Sequence, residues 1–221
     1  MNIEQKREFF KENGYCDFSI KDVDVDFYNF LETNLICNSE KNLQDKFSQF
    51  RFDSNKIQTR FQSSDVLYET ARLKKEEFLA DCDKGSLSQC WYFYQDIEKH
   101  ISTEIRKGID NIIKYFYGYA PLQEKNELQL TYYDDGCVFT PHSDGQTVNL
   151  CSVIIYLNKN YDESNGGLLI LNNGYVTPEF GQCALMDLSK HDIKHGVTEV
   201  TGGPGRYAIL AFPKPPENIK D

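Results

Sequence analysis

His142-Ser143-Asp144 sets an imidazole and a carboxylate two residues apart. In an extended segment residues i and i+2 point to the same side, so both side chains can reach one metal ion. A third ligand must come from elsewhere. The chain has four histidines, His100, His142, His191 and His195, and His195 stands just before the last predicted strand. Two neutral imidazoles and one carboxylate hold a divalent iron without filling its coordination sphere. The adjacent positions left open can then take a co-substrate and O2 side by side.

Ligands from distant parts of a chain need rigid elements to bring them together. From about residue 127 to 213 the chain reads as strands. Leu128 to Tyr133, Val148 to Leu157, Gly167 to Leu171, Cys183 to Leu188 and Arg206 to Phe212 are short β-branched, aromatic and aliphatic runs. Turn-forming stretches separate them: Asp134-Asp135-Gly136, Asn165-Gly166-Gly167, Asn172-Asn173-Gly174 and Gly202-Gly203-Pro204-Gly205. Gly166-Gly167 is expected to serve a tight hairpin. Such spacing predicts an antiparallel sandwich or barrel.

Residues 1 to about 118 read differently. Ile3 to Asn13 is a predicted helix with Gly14 as its stop. A strand is expected over Tyr15 to Ile20 and a helix over Val23 to Leu35. Further on, a helix is expected from Ser64 to about Ala80, and a strand over Cys90 to Tyr94. Ile97 to Tyr117 is the clearest helix. Its Ile101, Ile105, Ile109, Ile112 and Phe116 form an apolar stripe suited to docking on a sheet. Helices before strands predict an α+β fold with helices packed on one outer face. The expected organisation is one domain over 1–221: a helical support region 1–118, a strand-built core 119–214 and a tail 215–221.

The bulk properties narrow the possible partners. The chain has 221 residues, 40% hydrophobic and 26% charged, ordinary for a globular domain with a sizeable core. No segment approaches the roughly 20 apolar residues of a membrane helix, so no membrane partner is expected. The opening MNIEQKREFFK has no continuous apolar core and does not read as a secretory signal. The seven cysteines, Cys16, Cys37, Cys82, Cys90, Cys137, Cys151 and Cys183, contain no CxxC pair. That argues against a zinc ribbon or a disulfide framework and for a cytoplasmic location. The net charge is −10, and the one basic run, Arg72 to Lys75, is followed at once by Glu76 and Glu77. Nucleic acid is therefore not an expected partner. A neutral or basic peptide or small molecule fits better.

A wider pattern surrounds the candidate ligands. Tyr133-x-x-Gly136-x-x-Phe139-x-x-His142-x-Asp144 is followed by Tyr156-Leu157-Asn158-Lys159-Asn160-Tyr161-Asp162. Asn165-Gly166-Gly167-Leu168-Leu169 comes next, then His195-Gly196-Val197, a glycine-rich turn and Arg206-Tyr207-Ala208-Ile209. From Leu128 to Phe212 this pattern resembles the iron(II)/2-oxoglutarate-dependent dioxygenases, in their prolyl-4-hydroxylase-like branch. That branch includes collagen-type and hypoxia-sensing prolyl hydroxylases with bacterial and viral relatives. The N-terminal part is similar only in general character.

The resemblance implies a double-stranded β-helix (jelly-roll) core. It implies Fe(II) held by His142, Asp144 and His195. His191 is a rival for the distal position, expected on an exposed loop, but His-x-Val before a turn and Arg-Tyr-Ala matches at His195. It implies that Arg206 grips the far carboxylate of 2-oxoglutarate with its planar, bidentate fork. Tyr156 then hydrogen-bonds that carboxylate and Tyr133 lines its pocket. The implied reaction consumes O2, converts 2-oxoglutarate to succinate and CO2, and hydroxylates a substrate C–H, with ascorbate as an accessory reductant. A carboxylate at Asp144, where halogenating relatives carry a small residue, implies hydroxylation. The substrate is expected to be a prolyl residue in a protein or peptide, the rival being a free amino acid or other small molecule. A non-catalytic jelly-roll binding module and a cupin-type metal enzyme are further rivals, disfavoured by the intact ligand set and by Arg206.

Overall fold

Asn2 opens the first helix as its residue type dictates. In α1 (Ile3–Asn13) the Asn2 side chain accepts from the Gln5 N–H and the Gln5 side chain accepts from the Asn2 N–H, while Gly14 closes the helix at φ 76°. The protein is seen here as a computed structural model, which describes residues 1–35, 57–59, 88–89, 91–93, 99–133, 135–136, 138–144, 149–172, 174–189, 192–203 and 205–216. After α1 come β1 (Tyr15–Ser19) and α2 (Val25–Asn34), capped by Asp24 on the Phe27 N–H. The long helix expected before the strands is α3 (Lys99–Tyr117), and Ile105, Ile109, Ile112 and Phe116 are buried along one side of it. The helix expected over Ser64 to Ala80 lies outside the described residues.

α2 and α3 cross closely. A Cβ built on Gly108 would stand 2.2 Å from Phe27 Cγ, so only glycine admits the ring there. Asn111 Nδ2 also donates to Asp24 Oδ2 at 2.6 Å, tying α3 to the cap of α2.

The remaining strands are β2 (Ile57–Thr59), β3 (Ser88–Gln89), β4 (Trp91–Phe93), β5 (Leu122–Tyr133), β6 (Val138–His142), β7 (Cys151–Tyr156), β8 (Leu169–Leu171), β9 (Gly174–Val176), β10 (Gln182–Asp187), β11 (His195–Val197) and β12 (Arg206–Lys214). Among the described residues they form two antiparallel sheets. One has the order β1-β10-β7-β12-β5-β4-β2 and the other β3-β6-β11-β8-β9. This is the expected α+β jelly roll.

Two apolar layers hold the sheets and helices together. One lies between the helices and the larger sheet: Phe10, Phe18, Phe27, Leu31 and the α3 stripe pack with Cys151, Val153, Ile155 and Ile209. The other lies between the sheets and includes Ile154, Tyr156, Leu169, Met186 and Ala208. β7 therefore buries both faces, which is why it reads as an unbroken apolar run.

Several details differ from the sequence reading. β5 starts at Leu122, ahead of the expected Leu128, and β12 runs on to Lys214. β9 and β11 are three residues each, too short to leave a periodicity, and exist by pairing with neighbours. Gly166-Gly167 closes no hairpin. Gly166 bridges Val200, and a Cβ on it would stand 1.8 Å from the Glu199 carbonyl oxygen. The glycine pair serves a close approach of two segments.

Candidate active site

β6 and β11 pair with His142 directly opposite His195. That register brings two histidines from distant parts of the sequence to a ring-centroid separation of 4.3 Å. Asp144 lies two residues past the end of β6, its carboxylate between the rings. Oδ1 is 3.5 Å from His142 Nε2, and Oδ2 is 3.6 Å from His195 Nε2. The donor atoms of the three residues all lie within 4.8 Å of one another. Two bonds of about 2.1 Å to one ion place their donors roughly 3–3.5 Å apart, close to the two carboxylate-to-imidazole separations.

The environment supports ligation. His195 is 8% exposed, and its Nδ1 lies 3.2 Å from the Ile193 carbonyl oxygen. An Nδ1–H donated there leaves the Nε2 lone pair facing Asp144 and His142. Burial pushes His195 below the ordinary histidine value, against the upward pull of Asp144, with His142 lowering it again. The ring is neutral at pH 7, the form that binds metal. Ser143 Oγ donates to the Asp192 carboxylate, joining the loop of His142 and Asp144 to the segment that leads into His195. His191, the rival third histidine, lies outside the described residues.

Arg206 opens β12 and is 2% exposed. Its guanidinium carbon stands 4.7 Å from the Tyr133 ring centroid and 5.0 Å from that of Tyr156. Nη2 donates to Tyr156 Oη at 3.3 Å, whereas Nε is buried without a hydrogen-bond partner among the described residues. None of the ion pairs among those residues involves Arg206. A buried cation whose contacts are phenols suits an anionic ligand, because a charge taken out of water needs an opposite one. Burial raises the Tyr156 phenol above its ordinary value although Arg206 draws it down, so it stays protonated. Its oxygen accepts from Arg206, which leaves the phenol O–H as a further donor at the guanidinium.

One cavity of about 60 Å³ is lined by His142, Asp144, His195, Arg206 and Tyr133 together. Phe139, Ile154, Leu169, Leu210 and Phe212 form its apolar walls, and Thr131 and Ser152 add hydroxyls. The structure thus gathers all six residues singled out in sequence, Tyr156 through its contact with Arg206. It also adds Tyr161, which the sequence reading quoted without a role. Its phenol oxygen and Arg206 Cδ flank Gly167, 2.9 and 3.3 Å from a Cβ built there. The only sequence signal for Tyr161 was its place in the Tyr156-to-Asp162 string.

The model of the 2OG-Fe(II) oxygenase superfamily matches residues 128–213. No curated protein matches the chain in sequence. Among solved structures, a Pseudomonas putida prolyl-4-hydroxylase is similar at a TM-score of 0.60 and 12% identity, over 96% of this chain and 98% of that one. A Trichoplax adhaerens prolyl hydroxylase, solved with a hypoxia inducible factor oxygen degradation domain peptide, is similar at 0.58 and 18%, over 96% and 88%. AviO1 from Streptomyces viridochromogenes Tue57 is similar at 0.57 and 12%, over 97% and 95%. At these identities the structures speak for the shared fold, and the family model speaks for the chemistry. Residues 128–213 therefore match a 2OG-Fe(II) oxygenase domain, which supports an enzyme of that class, and the chain has the fold that prolyl hydroxylases share.

Proposed function

We propose that the chain is an Fe(II)- and 2-oxoglutarate-dependent hydroxylase of a prolyl residue in a protein or peptide. The observation that carries the cofactor part is the single cavity that holds both the His142, Asp144, His195 cluster and the buried Arg206. In this reading His142, Asp144 and His195 bind the iron. Arg206 takes the distal carboxylate of 2-oxoglutarate in a two-pronged grip, and Tyr156 donates a further bond to it. Tyr133 stacks on the guanidinium and closes the pocket side. When bound, the iron and 2-oxoglutarate supply O2-dependent oxidation, with succinate and CO2 as co-products. The apolar walls exclude water from the site. Asp144 occupies the third protein ligand position, which favours hydroxylation over halogenation. Ascorbate serves as the accessory reductant.

The peptide part rests on fold likeness to prolyl hydroxylases, one of them solved with a peptide. The test is direct. The protein, loaded anaerobically with Fe(II), is given 2-oxoglutarate and O2 with proline-containing peptides or with free amino acids. Succinate release stimulated by a peptide, with a 16 Da mass gain on its proline, is the expected result. Stimulation by a free amino acid alone would move the substrate to the small-molecule class. Absence of ferrous binding would overturn the cofactor reading.

A further inference from the structure

Arg206 begins its strand with little stiffness behind it. It follows Gly202-Gly203-Pro204-Gly205, whose three glycines sit at φ 102°, 77° and 77°. Glycine runs leave the backbone many conformations. A residue that must aim a guanidinium at a small anion needs its backbone held to within about 0.5 Å.

On one side β5 holds it, with Arg206 opposite Tyr133. On the other side the neighbour is β7, and β7 ends at Tyr156, opposite Ala208. The Leu157 N–H still reaches the Tyr207 carbonyl at 3.1 Å. Beyond that the β7 backbone gives out, and the side chain of Asn158 takes its place. Asn158 Oδ1 accepts from the Tyr207 N–H at 2.8 Å, and Nδ2 donates to the Gly205 carbonyl at 2.7 Å. These are the backbone groups on either side of Arg206. A primary amide presents one acceptor and a donor, as a strand's own backbone does.

Asn158 is itself pinned. It is 1% exposed, and its backbone bridges Glu179. The Glu179 carboxylate accepts from the N–H groups of Asn160 at 2.9 Å and Tyr161 at 2.8 Å, fixing the loop just past it. Asn158 does not line the cavity. Whatever it contributes to ligand binding passes through Arg206.

We propose that Asn158 is a positioning residue for 2-oxoglutarate: its side-chain amide extends the β7–β12 ladder past Tyr156 and so fixes the guanidinium of Arg206. This rests on the reading of Arg206 as the carboxylate anchor. Asparagine alone satisfies both backbone groups at this reach. Aspartate lacks the donor, alanine lacks both groups, and glutamine is longer by a methylene.

The test measures binding by anaerobic titration calorimetry on the full chain loaded with Fe(II). The ligands are 2-oxoglutarate and 2-oxobutyrate, a 2-oxo acid with no distal carboxylate for Arg206. Asn158→Ala is expected to raise the Kd for 2-oxoglutarate about tenfold, leaving the Kd values for Fe(II) and 2-oxobutyrate unchanged. Asn158→Asp keeps the acceptor for the Tyr207 N–H and should lose less; if the alanine variant does not fold, the aspartate variant carries the same comparison. Equal weakening of both oxo acids would mean general damage to the site and overturn the proposal. So would unaltered 2-oxoglutarate binding in the Asn158 variants when Arg206→Ala weakens it. If Arg206→Ala leaves 2-oxoglutarate binding unchanged, the anchor reading has failed and this proposal falls with it.

Discussion

His142, Asp144 and His195 divide two tasks among three side chains. In the proposed metal site the two imidazoles are the nitrogen donors, the His195 ring held by its contact with the Ile193 carbonyl, and the Asp144 carboxylate supplies the charge. Asp144→Ala removes the only carboxylate of the cluster. It is expected to lower Fe(II) affinity by at least tenfold and to abolish succinate formation, both read on the anaerobically loaded protein. Arg206 carries a different load. Two charge-assisted bonds contribute about 3 kcal/mol or more together, so Arg206→Ala should raise the Kd for 2-oxoglutarate roughly a hundredfold. Fe(II) affinity, measured by titration, should not follow. Arg206→Lys keeps the charge without the fork and should recover only part of the loss. The types and spacings of these four residues were legible in sequence. The tautomer of His195 was not, because its partner is a backbone carbonyl, which no residue type advertises.

At the scale of elements, pairing decides what the strands do. β11 is three residues long and has no pattern of its own, yet its register against β6 sets His195 opposite His142. A slip of one residue would turn His195 to the other face. The longer elements were legible because they bury a whole face: α3 showed its stripe, and β7 and β12 showed continuous apolar runs. What remained hidden were contacts between elements. Gly108 is an example. In an isolated helix Gly→Ala stabilises by about 1 kcal/mol. Here the added Cβ meets the Phe27 ring. Gly108→Ala is therefore expected to destabilise the fold by about 1–3 kcal/mol, seen as a lower denaturant midpoint. A stabilised variant would mean that α2 and α3 do not cross this closely.

The whole molecule carries a net charge of −10 and a rich set of phenols. No helix among the described residues is long and apolar enough to cross a membrane. Its thiols at Cys16, Cys151 and Cys183 are free and buried, and burial raises each of them, so they stay protonated and unreactive. Burial also raises Tyr28, Tyr115, Tyr117, Tyr156 and Tyr161 above the ordinary value of 10.0. A phenol held higher in the folded state favours folding below pH 10 and loses that contribution as pH climbs through its raised value. Stability should therefore hold up to about pH 10 and decline above it, as read from denaturant midpoints between pH 8 and 12. Tyr115, which donates to Glu4 Oε1 at 2.8 Å and is pushed up to about 12, contributes one share. Tyr115→Phe should make the decline shallower. By itself the sequence determined the fold class and offered the residue types of the candidate site, His142, Asp144, His195 and Arg206, since periodicity and residue chemistry are local properties. Only the tertiary structure decided that His142 faces His195, that two tyrosine rings flank Arg206, and that Asn158 stands where β7 runs out. Each of these depends on strand register and on backbone groups, which side-chain identity does not encode.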